Sequence, residues 1–255
     1  MTSLTETERA RYLRNLLVPG FGEDGQRRLR EVRVLVVGVG GLGSPVALYL
    51  AASGVGVLGL ADDGVVHVDN LQRQIVHVES RVGWKKIESA AVALAELNSD
   101  VQVVRHDCRL APDNAAALVA EYDFVVEACD SFEAQFTIND VCLERGKAFV
   151  TAGVVGLGGH VMLVVPGRTP CLRCALPEPP DEGPTSQTHG ILGAVAGVVG
   201  SLEALEALRW LAGLWTPQRD GAGLLHRLDG ESMRLSTLRI LRRPGCRCAE
   251  IRSEE

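Results

Sequence analysis

Three short stretches of this chain carry residue types that could do chemistry together. In the first, the apolar run Val34–Val37 leads into Gly38-x-Gly40-x-x-Gly43, within VLVVGVGGLGSPVALYLA (34–51). Glycines at this spacing, between a strand and a helix, let a backbone bend tightly, approach a phosphate closely and aim a helix N-terminus at it. Asp62 ends the next apolar run, where a carboxylate can take a ribose hydroxyl. In the second stretch, DNLQRQIVHVESRVGWKKIESA (69–90), Arg73 lies in a loop and Lys86 on the helix that follows. In the third, FVVEACDS, Asp130 comes directly after an apolar strand, at the edge where open α/β sheets place ligands. There a carboxylate can hold Mg2+ against phosphate oxygens, or cap the helix that follows; the spacing leaves both open.

A glycine turn with a downstream acid suits NAD as well as ATP. The cations separate the two. A dinucleotide pyrophosphate is held mainly by backbone N–H groups and a helix dipole, whereas converging cations such as Arg73 and Lys86 suit a triphosphate. Lys85, alone at a helix end, reads as a solvated group.

Of seven cysteines, four form tight pairs, Cys171-Leu-Arg-Cys174 and Cys246-Arg-Cys248. Thiolates at these spacings can close a tetrahedral structural zinc site with no open position. CxxC alone also suits a redox pair, but two pairs in a chain without an export signal favour metal. Cys108, Cys129 and Cys142 stand alone and are expected to be small buried or half-buried groups. His67, His77, His106, His160, His189 and His226 form no metal-like spacing and are expected to be surface or satisfied polar residues.

The elements that must position these residues follow from periodicity. The spacing predicts a helical N-terminal arm over 1–30, with Leu13, Leu16 and Leu17 on one face. Strands are predicted at 32–37, 55–61, 101–105, 123–128, 148–154 and 160–165, and helices at 43–53, 83–97, 113–121 and 131–146. The stretch PEPPDEGPTSQTHG (177–190) reads as a mobile, exposed loop. A long helix over 191–213, with Leu202, Leu205, Leu208 and Leu211 at helical spacing, precedes strands at 224–228 and 232–240 joined at Asp229-Gly230. This is an α/β chain read as one domain over 1–255. A nucleotide-binding core at 32–165 lies within it, and its C-terminal portion, 191–248, is zinc-stapled.

The bulk figures fit a globular protein of 255 residues, 46% hydrophobic and 23% charged. A net charge of −6 offers no electrostatic footprint for nucleic acid. The opening MTSLTETERARYLRN is polar, and Gly190–Leu202 is shorter than the ~20 residues of a membrane span. A cytoplasmic protein is expected.

Taken together, GVGGLGSP, the strand end at Asp62, NLQRQ (70–74), GWKKIESA (83–90), the strand end at Asp130, IND-x-C (138–142), CLRC and PGCRC (244–248) resemble a known family. It is that of the E1-like adenylyltransferases of the molybdopterin-synthase and thiamin-thiazole pathways, relatives of ubiquitin-activating enzyme. The resemblance runs from RYLRN (11–15) to PGCRC. It implies a Rossmann-like mixed sheet flanked by helices. The implied reaction is ATP-dependent adenylation of the C-terminal Gly-Gly carboxylate of a small ubiquitin-like sulfur-carrier protein, ahead of sulfur transfer. It also implies that Gly41 lies in the phosphate turn, that Asp62 binds ribose, and that Asn70, Arg73 and Lys86 face the nucleotide while Asp130 holds Mg2+. Arg14 is then the arginine that reaches the site of a second subunit, which makes a homodimer the expected unit. Cys171, Cys174, Cys246 and Cys248 are the zinc ligands, 177–190 is a crossover-type loop over the carrier tail, and a sulfurtransferase or cysteine desulfurase is a further partner.

The chain departs from the family in three places. No cysteine stands between Ala175 and Gly245, where several relatives carry one in the loop; Ser186 falls near that place, and an enzyme thioester there is not expected. The second zinc pair is CxC, and Gln135 stands where relatives often carry an arginine. The rival readings are an ATP-dependent cyclising dehydratase acting on a tRNA threonylcarbamoyladenosine-like nucleoside, an NAD-dependent Rossmann oxidoreductase, and a non-catalytic adaptor.

Overall fold

The computed structural model describes residues 3–179, 185–216 and 223–251. Among the described residues, eight strands form one sheet: β1 (Arg33–Val37), β2 (Val57–Ala61), β3 (Gln102–His106), β4 (Phe124–Glu127), β5 (Ala148–Val155), β6 (Gly158–Val164), β7 (Leu224–Asp229) and β8 (Arg234–Arg239). Their order is β3-β2-β1-β4-β5-β6-β7-β8; the first five are parallel and β6, β7 and β8 join antiparallel. The helices are α1 (Glu6–Arg11), α2 (Leu13–Leu16), α3 (Gly22–Glu31), α4 (Gly43–Ala52), α5 (Lys86–Leu97), α6 (Ala115–Ala120), α7 (Phe132–Glu144), α8 (Leu172–Ala175), α9 (Ser186–His189) and α10 (Gly193–Leu211). Of the loop expected at 177–190, residues 180–184 lie outside the described residues. Among the described residues, no helix is long and apolar enough to cross a membrane.

The central strands read as unbroken apolar runs because both of their faces are covered. Val34, Val36, Phe124, Val126 and Val150 pack against α3, α4, α5 and α10, whereas Leu35, Val37, Val125 and Phe149 pack against α6 and α7. Chain order reverses between β1, which leads to β2 on one side, and β4 on the other. That reversal opens a crevice at the C-terminal strand ends.

One packing expectation is corrected. The arm is not one helix with a leucine face: it breaks at Tyr12, which is 5% exposed, while Leu13 and Leu17 are exposed. Tyr12 is the anchor because Asn98 Nδ2 donates to its hydroxyl at 2.8 Å, and the ring packs against Gly54, which has no side chain to obstruct it. The leucine row of α10 is split by packing, with Leu202 and Leu208 half-buried against the core. Leu205 is exposed, and the buried face is Val195, Ala196, Val199, Gly200, Glu203, Ala204, Glu206, Ala207 and Leu211. Close approach to α4 selects small residues there: a Cβ on Gly200 would lie 2.5 Å from Pro45 Cγ. The β7–β8 connection is a four-residue loop over 230–233, in which Asp229 accepts the N–H groups of Glu231 and Ser232.

Candidate functional site

The glycine turn joins β1 to α4 at the C-terminal edge of the sheet. Gly38 has φ +91°, and a Cβ there would lie 2.6 Å from the carbonyl oxygen of Ala128. A Cβ on Gly43 would lie 1.9 Å from the Gly38 oxygen. These two glycines are therefore steric necessities. Gly40 and Gly41 have room: a Cβ on Gly40 would meet only Gln74 Nε2, at 3.7 Å, and one on Gly41 would touch Ala196 of α10 at 3.4 Å and Arg73 Cγ at 3.6 Å.

Asp62 follows β2 and holds the turn. Its Oδ2 accepts the Val39 N–H and its Oδ1 the Gly64 N–H, both at 2.8 Å. A carboxylate oxygen has two lone pairs, so each keeps one for a hydroxyl donor. Lys86 is the first residue of α5, its N–H bonded to the Gly64 carbonyl at 3.0 Å. Its stem passes Gly64 beside Asp62: a Cβ on Gly64 would lie 3.2 Å from Lys86 Cε and 2.9 Å from Asp62 Oδ1. Lys85 is a surface group as expected, 3.2 Å from Asp107.

The segment between β2 and α5 brings up Asn70 and Arg73. Asn70 is buried in a 3-10 turn over Val68–Asn70, its Oδ1 accepting the His67 N–H at 3.2 Å and its Nδ2 donating to Asp69 Oδ1 at 3.3 Å. Arg73 Nη1 donates to the Asp69 carbonyl at 2.9 Å, which aligns the stem along Gly41. Gln74, within NLQRQ but not singled out there, is 4% exposed and lies next to Gly40. Its Oε1 is buried and has no partner among the described residues.

Asp130 is exposed in the loop after β4, the same loop that Gly38 packs against. The cap of α7 is Ser131, whose Oγ accepts the Ala134 N–H at 3.2 Å. Of the two roles open to Asp130, the structure removes the cap. Beneath it, Glu127 is fully buried; Thr151 Oγ1 donates to it at 2.6 Å and the Cys129 N–H at 2.8 Å. Burial outweighs both donors and pushes this carboxyl up to about 8. Its only mark in the sequence is an acid ending an apolar strand.

Arg14 is not brought to this edge of its own chain. It sits exposed on α2, and the arm is tied through Tyr12 to Gly54 and Asn98, which precede β2 and β3. The anchor therefore lies at the opposite strand ends. Gln135 is 8% exposed and donates to the Ala152 carbonyl at 3.3 Å. Ser186 begins α9.

The two cysteine pairs meet. The Sγ atoms of Cys171, Cys174, Cys246 and Cys248 all lie within 4.8 Å of one another. Cys171–Cys246, Cys174–Cys248 and Cys246–Cys248 are 3.6, 3.4 and 3.5 Å apart. Zinc–sulfur bonds of about 2.3 Å in a tetrahedron require sulfur–sulfur edges of roughly 3.8 Å, so the donor set fits Zn2+, and the one-residue spacing of CxC does not prevent it. Cys108 and Cys129 are half-buried and Cys142 is buried.

The ThiF family matches residues 12–248. The protein named adenylyltransferase and sulfurtransferase MOCS3 from Mus musculus is 43% identical over 248 residues, covering 96% of this chain and 53% of its own length. MOCS3-2 of Zea mays is 42% identical over 232 residues, 90% of this chain and 48% of that protein. The chain thus spans about half the length of the curated relatives it matches. Among solved structures, E. coli MccB with ATP superposes with a TM-score of 0.83 at 23% identity, covering 96% of this chain and 75% of that one. A likeness at this identity shows a shared fold.

Proposed function

The chain belongs to the ThiF family, and from that premise we propose that it adenylates the C-terminal carboxylate of a small ubiquitin-like sulfur-carrier protein ending in Gly-Gly, with ATP and Mg2+. The observation that carries this reading is the convergence of the glycine turn, Asp62, Arg73, Lys86 and Asp130 on one end of the sheet. Further support comes from relatives named as adenylyltransferases and from the same fold solved with ATP.

The chemistry follows from charge. A carboxylate oxygen of the carrier attacks the α-phosphorus of ATP. The bond to the bridging oxygen breaks, pyrophosphate leaves with that electron pair, and an acyl-adenylate remains. Two anions must meet, so positive charge has to be concentrated between them. Lys86 and Arg73 hold phosphate oxygens, Asp62 takes the ribose, and Asn70 and the backbone of Gly38, Gly40, Gly41 and Gly43 line the nucleotide. Mg2+ on Asp130 would neutralise charge on the phosphates. Arg14 reaches the site of a second copy, which makes the working unit a homodimer. Zinc on the four cysteines is structural, since four thiolates leave no open position.

The organisation proposed is one adenylation domain over 1–255, acting in the cytoplasm, with a sulfurtransferase or cysteine desulfurase consuming the adenylate. The stretch from Ala175 to Gly245 has no cysteine. The adenylate therefore leaves without passing through an enzyme thioester on the loop. The test is ATP–pyrophosphate exchange with Mg2+ and a panel of Gly-Gly-ending carriers, each also lacking its last two glycines. Exchange that requires the intact tail is expected. Nucleotide binding without exchange on any carrier would shift the reading to the tRNA nucleoside or to a non-catalytic adaptor, and absence of ATP binding would overturn it.

A further inference from the structure

We infer that His77 is a positioning residue for the phosphate turn, acting through Val39 and not by touching the nucleotide. The inference rests on the reading above that this turn holds ATP.

His77 is 4% exposed and lies four residues past Arg73 in sequence. Its Nε2 is 3.1 Å from the carbonyl oxygen of Val39 and its Nδ1 is 2.9 Å from Ser89 Oγ. A carbonyl can only accept, so Nε2 carries the proton and donates. Nδ1 of the neutral ring then accepts from the Ser89 hydroxyl. Burial, with Lys86 and Arg81 nearby, holds the imidazole below its ordinary value against the Val39 hydrogen bond and Asp62.

Val39 stands between Gly38 and Gly40, two residues that impose little conformational restraint of their own. Its peptide groups are instead clamped from both sides: the N–H by Asp62 Oδ2 at 2.8 Å and the C=O by His77. A trans peptide is planar, with its C=O and the following N–H pointing in opposite directions. Holding the Val39 carbonyl toward the buried imidazole therefore aims the Gly40 N–H away from it. His77 sets the direction of a backbone donor in the turn itself.

The second bond extends the clamp. Ser89 is fully buried on α5, one turn after Lys86, and its carbonyl accepts from Arg81 Nη1 at 2.6 Å. The chain Asp62–Val39–His77–Ser89 thus ties the turn to the helix that carries Lys86. A histidine with a merely structural role could take its partners from any element. Here both partners belong to elements that carry site residues.

The test combines three variants with a spectroscopic readout. His77→Leu removes both bonds, Ser89→Ala removes one, and His77→Gln restores a donor toward Val39. His77→Leu is expected to raise the ATP KM in pyrophosphate exchange about tenfold or more, the effect of losing one buried hydrogen bond, with the carrier KM unchanged. His77→Gln is expected to recover most of that loss, and Ser89→Ala to fall between. In the wild-type protein, 15N shifts should show the His77 proton on Nε2, and the Gly40 amide should shift in His77→Gln. That readout stands even where His77→Leu fails to fold. A proton on Nδ1, or folded variants with unchanged ATP KM, would overturn the positioning role alone. Absence of ATP binding by the wild-type protein would overturn the adenylation reading as well.

Discussion

A side-chain carbon on Gly43 would sit 1.9 Å from the carbonyl oxygen of Gly38, and one on Gly38 would sit 2.6 Å from that of Ala128. Three stretches of backbone are stacked here without side chains between them: the turn, the start of α4, and the loop that carries Asp130. Gly43→Ala is therefore expected to cost roughly 3 kcal/mol or more of folding stability, the range of an overpacked core site with backbone on both sides. Gly40→Ala, whose nearest neighbour is the end of Gln74 at 3.7 Å, should change stability by less than about 1 kcal/mol and weaken nucleotide binding instead. Denaturant midpoints and ATP titrations on both variants separate the effects. Equal midpoints would refute the steric account.

Lys86→Ala, Arg73→Ala and Asp130→Asn are expected to lower pyrophosphate exchange by roughly 10²–10³-fold each, as for loss of one transition-state charge partner. Asp130 is exposed and Lys86 and Arg73 are half-buried, so folding should survive. Asp62→Ala should differ, because its carboxylate also holds the Val39 and Gly64 N–H groups. Loss of melting temperature together with activity is expected for that variant. Full exchange in Lys86→Ala would be incompatible with the charge-concentration mechanism.

One zinc per chain is expected by elemental analysis of freshly purified protein. Chelation or Cys248→Ser should lower the melting temperature, because metal binding energy in a four-thiolate site is folding energy. Metal-free, equally stable protein would count against the staple.

Glu127 makes stability depend on pH. Its carboxyl is raised from 4.5 to about 8 by burial, so between those values the folded state holds a proton that the unfolded state has released. Its contribution is complete below about 4.5 and is lost as the pH rises through about 8. Glu127→Gln mimics the protonated acid and should gain on the wild type, by up to several kcal/mol, as the pH is raised from 5 to 8. A constant difference across that range would mean that Glu127 is ionised in the fold.

What could be read from the residues alone was whatever local sterics and spacing require. Gly38 and Gly43 were legible because a tight turn excludes side chains wherever it occurs. Strands buried on both faces announced themselves as apolar runs, and Cys171/Cys174 and Cys246/Cys248 each as a ligand pair. That the pairs meet depends on α10 and the β7–β8 hairpin carrying the chain back to the same place, which no local pattern encodes. The same holds for the α10 leucines: periodicity finds a row, but close approach to α4 puts Gly200 innermost and leaves Leu205 exposed while Leu211 is buried. Asp130 and Ser131 were both fit to cap α7, and only the backbone at the end of β4 gave the cap to Ser131. His77 was one histidine among six in the sequence. Its partners, Val39 and Ser89, lie far from it along the chain, and a hydrogen bond between distant residues exists only once packing has brought them together.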